Sequence, residues 1–65
     1  MKVKWINPIY NYVLPEKDGF YLVTAVDEKG KRHVTESYFS VVRQEWSWPE
    51  KILAWAYMPE PYDGI

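Results

Sequence analysis

The stretch Phe20-Tyr21-Leu22-Val23-Thr24-Ala25-Val26-Asp27 is aromatic and β-branched almost throughout and lies between Gly19 and Gly30. That is the composition of a β-strand bounded by turn-forming residues. Alternation of side chains places Phe20, Leu22 and Val26 on one face and Tyr21, Val23 and Ala25 on the other. Both faces are apolar, so the chain must fold into something that covers the two sides of this strand. A sheet with one side left to water needs only one such face.

The flanking sequence supplies partners for it. Asp27-Glu28-Lys29-Gly30 combines charge with a glycine able to take positive φ, the chemistry of a hairpin loop. Lys31 to Val41 then reads as an antiparallel partner with one wetter face. A third strand is expected over Lys51-Ile52-Leu53-Ala54-Trp55-Ala56-Tyr57-Met58, with Ile52, Ala54, Ala56 and Met58 on one side and Leu53, Trp55 and Tyr57 on the other. Pro59 and Pro61 end it, since neither can donate to a ladder. Val3-Lys4-Trp5-Ile6 can add a short edge strand, and Asn11 to Asp18 reads as a loop marked by Leu14-Pro15. No segment holds apolar residues at helical spacing over three turns, and Pro49 limits Glu45 to Lys51 to a single turn. The expected fold is all-β: a small antiparallel meander of three to five strands, twisted or partly rolled, with no substantial helix.

With 65 residues and 7.8 kDa, residues 1–65 make one small β domain and leave no room for a separate catalytic lobe. A domain of this size buries only about 60% of the surface its unfolded chain exposes, and oligomerisation is a common remedy. The second apolar face is therefore covered either by the N-terminal and 41–50 segments or by another copy, and a homo-oligomer, dimer or higher, is expected. Eight Lys and Arg against nine Asp and Glu give a formal charge of −1, which argues against a duplex nucleic-acid binder. At 48% hydrophobic residues the chain is too apolar to be disordered. The absence of cysteine removes a disulfide framework and a thiolate metal site, and favours a cytoplasmic setting. Met1 to Ile6 is too short and too charged for a signal peptide, and no apolar run reaches the roughly 20 residues that span a bilayer.

Trp5-Ile6, then Leu14-Pro15-Glu16-Lys17-Asp18-Gly19-Phe20-Tyr21-Leu22-Val23, then Trp46, then Trp55-Ala56-Tyr57-Met58-Pro59-Glu60-Pro61 form an ordered series along nearly the whole chain. In this series the sequence resembles the domain of unknown function 551 family, small proteins of phages and prophages. The resemblance implies a phage or prophage origin and a compact β domain, and it carries no activity to transfer. Family members commonly have proline two residues after the closing Trp. Tyr57 stands there in this chain, restores a backbone donor, and is expected to allow a longer last strand.

Catalytic chemistry finds little to work with. His33 is the one imidazole, read as a surface or cross-strand histidine, and no cofactor or metal is expected. Asp27-Glu28 and Glu16 with Asp18 read as solvated turns, and the glycines at 19, 30 and 64 are too far apart for a phosphate loop. The chain is thus expected not to be an enzyme.

Aromatic residues are the one excess. Trp5 and Trp55 are expected as core anchors. Trp46 and Trp48, two apart, share one side of an extended backbone and either pack on the sheet or form an exposed platform. Tyr10 and Tyr12 repeat that spacing, and Lys29, Lys31 and Arg32 crowd the hairpin tip. Met58-Pro59-Glu60-Pro61-Tyr62 suits an extended tail docked on an aromatic groove such as Trp5 or Trp55.

Taken with the phage and prophage setting that the resemblance implies, these features lead to the expectation of a non-enzymatic binding protein that acts in counter-defence by sequestering a host nucleotide immune signal. Tyr10, Tyr12, Trp46 and Trp48 would stack the bases, and Arg43 and Arg32 would hold the phosphates. The alternative is a protein-protein inhibitor or adaptor of a host protein, using the same aromatic surface.

Overall fold

The computed structural model describes residues 3–8, 13–61 and 64. Four strands, β1 (Gly19–Val26), β2 (Arg32–Ser40), β3 (Glu45–Trp46) and β4 (Lys51–Ala56), form one curled antiparallel sheet in the order β3-β2-β1-β4. The first three strands run as a meander. The chain then crosses from β3 at one edge to β4 at the other, so that β4 pairs with β1. The all-β, partly rolled expectation is met, and the return of β4 to β1 is the feature that turns a ribbon into a half-barrel with an inside.

Local chemistry accounts for the first hairpin. The Asp27 carboxylate accepts hydrogen bonds from the Lys29 and Lys31 amides, each at 2.9 Å, and Gly30 takes φ +85° where a side chain would be strained. The β2–β3 turn is tied from outside: the Val41 amide donates to the Asp18 carboxylate at 2.6 Å. Gln44, at φ 56°, closes the turn by donating its side-chain amide to the Val41 carbonyl.

Register fixes two distinct faces. Tyr21 stands opposite Ser37 and Val23 opposite both Thr35 and Trp55, so the odd residues of β1 and β2 share the inner face. Phe20, Leu22, Thr24, Val34, Glu36 and Tyr38 share the outer one. This is the division that alternation predicts for β1. In β4 it breaks: Thr24 faces Ala54 but Ala25 faces Ile52, which makes Leu53 the extra residue of a bulge. Ile52 therefore joins Trp55 at the core and not Ala54 and Ala56. Tyr57 also corrects an expectation, because β4 stops at Ala56, even though Tyr57 could donate. Its ring instead packs edge-on against Trp55 at 5.2 Å and Tyr21 at 5.9 Å, and Pro59 bars further pairing two residues on.

The inner face is the core. Tyr21, Val23, Phe39 and Trp55 are buried there, with Ile6, Leu14, Val41, Trp46 and Ile52 packed around them. Trp55 meets Tyr21 at 5.3 Å, and Trp46 meets Phe39 at 4.8 Å, both edge-on, an arrangement worth about 0.5–1.5 kcal/mol per pair beyond area. Internal wrapping covers this face, whereas Phe20 and Val34 on the outer face stay 59% and 60% exposed, so the chain itself covers one of the two apolar faces. Residues 47–50 pass across the inner face, the Trp48 amide donating to the Ser37 hydroxyl at 3.1 Å.

The N-terminal segment supplies less than a strand. Ile6 makes a single antiparallel bridge with Trp55, exchanging amide-carbonyl bonds of 2.7 and 2.9 Å. The Trp55 indole donates to the Val13 carbonyl at 2.8 Å. Trp5, expected as a second core anchor, is 37% exposed, because pairing Ile6 with Trp55 sends its neighbour to the opposite face.

Candidate functional site

Of the six residues singled out for ligand binding, Tyr10 and Tyr12 lie outside the described residues. The other four fall in three places. Trp46, in β3, turns its ring to the inner face, where it contacts Phe39, Tyr21 and Trp55. Trp48 sits on the same face further along, its ring 6.0 Å from that of His33. The two tryptophans thus share a side, and both are half-buried in packing. Arg43 lies exposed in the β2–β3 turn. Arg32 lies exposed at the start of nine-residue β2, about 26 Å from its end at about 3.3 Å per residue. Arg32 and Arg43 of one chain therefore do not converge on one small ligand.

A cleft of about 280 Å³ gathers Arg43 and Trp46 with Tyr38, Ser40, Glu45 and Ser47. Register explains the gathering. Ser40 pairs with Glu45, and Tyr38 precedes Ser40 by two on the same outer side, so two strands and their turn contribute to one end of the sheet. Tyr38, 37% exposed, presents the ring of this cleft, with Phe20 packed edge-on behind it at 5.3 Å. Sequence reasoning passed Tyr38 over. Its signal was its even position in β2, which the register with Phe20 places on the outer face.

The cleft's electrostatics are simple. Arg43 lies 3.7 Å from Glu45, with 76% and 61% of the two side chains exposed. Such a pair is worth little and an incoming anion can displace it. The Ser40 hydroxyl accepts from the Arg43 amide at 3.3 Å and keeps its own hydrogen to donate. The site can therefore hold a planar ring and an acidic group together.

A second polar cluster braces the crossing segment. The Glu50 carboxylate accepts from the Trp48 indole at 3.0 Å and bonds the His33 ring nitrogen at 2.6 Å. Those hydrogen bonds, Trp48's first and His33's second, hold the Glu50 carboxyl below its ordinary value, against desolvation and, more weakly, nearby Asp27, which push it up. A carboxyl depressed in the folded state adds stability that is complete above the unfolded value and is lost as pH falls through the folded one. The wild-type denaturation midpoint should accordingly fall more steeply than that of Glu50→Gln between about pH 5 and pH 3. Equal slopes in the two proteins would show that the cluster does not brace the fold.

Elsewhere, the Tyr21 hydroxyl donates to the Lys17 carbonyl at 2.7 Å, and burial pushes its phenol upward. Among the described residues, no three His, Asp or Glu side chains converge as metal ligands do, and no helix is long and apolar enough to cross a membrane. No family model matches the chain, and neither a curated protein nor a solved structure matches it.

Proposed function

We propose that this chain is a small non-enzymatic binding protein of phage or prophage type that sequesters a nucleotide used by its host as an immune signal. The observation that carries this reading is the cleft in which Arg43, Tyr38 and Ser40 meet. The base lies against Tyr38, Arg43 takes the phosphate in place of Glu45, and the Ser40 hydroxyl donates to the same group. Relative to the sequence-level reading, Tyr38 replaces Trp46 as the stacking ring, because the Trp46 ring is committed to the core.

A thermal-shift panel of mono-, di- and cyclic nucleotides tests it, since a ligand of the folded state raises apparent stability by mass action. One nucleotide should shift the melting temperature and be recovered unchanged from the denatured complex. Arg43→Ala should weaken its binding about 10- to 100-fold, the loss of one charge-assisted hydrogen bond. A panel without any shift rejects the reading, and a product formed at substoichiometric protein rejects its non-enzymatic part.

A second reading, an inhibitor or adaptor of a host protein, is favoured by one observation. Phe20 and Tyr38 form a ring pair on the outer face with 59% and 37% of their surface exposed, the kind of aromatic anchor that dominates protein interfaces.

A further inference from the structure

We propose that two copies of this chain pair through the free edge of β2, antiparallel and in one register centred on Val34, and that the pairing brings basic residues of each copy to the cleft of the other. Edge strands that leave a row of backbone donors and acceptors open are templates for another strand. β2 is nine residues long, but among the described residues its outer neighbour β3 pairs only with Phe39 and Ser40, followed by the Ser47 amide on the Tyr38 carbonyl. Arg32 to Glu36 therefore has β1 on one side and no described strand on the other.

The direction of the free groups follows from the bonds already made. The Tyr38 carbonyl points to the β3 side, whereas the Lys31 carbonyl points to β1, where it accepts from the Asp27 amide. Backbone groups alternate along a strand, so Arg32, Val34 and Glu36 all point their N–H and C=O to the open edge. The same three residues carry exposed side chains on the outer face, Val34 at 60%.

Charge selects the partner and the register. A two-fold axis at Val34 sets Val34 against Val34 of the partner subunit, Arg32 against the partner's Glu36, and Glu36 against the partner's Arg32. Opposite charges directly across a pair stabilise a sheet and like charges destabilise it. Sliding by two residues in either direction places a charge against Val34, and sliding by four sets Arg32 against its own copy or Glu36 against its own copy. One antiparallel register alone satisfies both charges, and in it all three residues form hydrogen-bonded pairs. A strand edge whose charges complement themselves is suited to a second copy of the same chain.

The register has a consequence for the cleft, and this extension rests on the nucleotide reading above. Tyr38 comes level with Gly30 of the partner subunit, where the partner's chain turns away at its hairpin. Arg32 of the partner subunit, opposite Glu36 on the same outer face, then stands diagonal to Tyr38, and the hairpin that carries Lys29 of the partner subunit ends beside the cleft. The phosphate held by Arg43 gains cations that one chain alone cannot bring there.

The test is a charge swap read by light scattering over a concentration series, with circular dichroism confirming that each exposed-position variant is folded. Wild type should show twice the 7.8 kDa of one chain. Arg32→Glu and Glu36→Arg should each be monomeric, and the double variant carrying both changes should return to the dimer. A wild type that stays monomeric to millimolar concentration overturns the proposal, as does a dimer that survives both single swaps. The nucleotide reading fails separately: a dimer with rescue but without any nucleotide shift removes the ligand and leaves the pairing standing. A nucleotide bound equally by wild type and by monomeric Glu36→Arg removes the shared cleft.

Discussion

Trp55→Ala is expected to remove a large part of the stability of the domain, as read by a large fall in the denaturation midpoint followed by circular dichroism. Trp55 is 1% exposed and is the largest fully buried side chain. Its ring meets those of Tyr21, Tyr57 and Trp46. Its indole N–H donates to the Val13 carbonyl, and its backbone carries both bonds to Ile6, so the residue joins β4, the N-terminal segment and the core. Truncating a buried large aromatic costs about 3–5 kcal/mol. At about 0.05–0.15 kcal/mol per residue, a 65-residue domain has roughly 3–10 kcal/mol in all. Trp55→Phe, which keeps most of the apolar volume and loses the indole bond, should cost markedly less. Equal losses in the two variants would place the stabilisation in the Val13 bond and not in the packing.

The weight resting on Trp55 also shows what the sequence made legible. Strand β1 could be read almost residue for residue, because an unbroken β-branched and aromatic run between glycines has few other uses. Its two-faced apolarity already required a cover on each side, and residues 47–50 provide one of them. The bulge at Leu53 could not be read, since period-two alternation carries no mark of a single inserted residue, and that residue decides whether Ile52 points in or out. The return of β4 to β1 was hidden for a related reason: a polar connection such as Ser47-Trp48-Pro49-Glu50 suits a turn between neighbours as well as a crossing of the sheet.

The candidate site follows the same division. Arg43 and Trp46 were found because a guanidinium and an indole draw notice in a loop, and the structure does place both beside one cleft. The direction of the Trp46 ring depends on its pairing with Phe39, a contact set by the β2–β3 register. Tyr38 stayed unnoticed for the converse reason, an aromatic residue inside a strand being core by default. Only its register partner Phe20, itself 59% exposed, puts it outside.

Ser37→Ala tests the crossing most directly, and is expected to cost about 1–3 kcal/mol, the range for leaving a buried hydrogen-bonding group without its partner. Ser37 is the one buried polar residue among those described, at 2% exposure on the inner face of β2. Its hydroxyl accepts the Trp48 amide at 3.1 Å and lies 3.3 Å from the Ser47 hydroxyl, so one oxygen fastens the chain where it leaves β3 to cross the sheet. Alanine removes the acceptor and leaves the part-buried Trp48 amide without that partner. Ser47→Ala removes an exposed hydroxyl bonded to the Tyr38 amide at 3.2 Å and should cost less, near the 0.5–1.5 kcal/mol of an ordinary hydrogen bond. Amide hydrogen exchange separates a local loosening from a global one: in Ser37→Ala the Trp48 amide should exchange faster than the Val23 and Trp55 amides of the central strands. If all three accelerate together, the crossing segment opens only when the sheet does, and Ser37 acts on the stability of the whole fold and not on the segment it fastens.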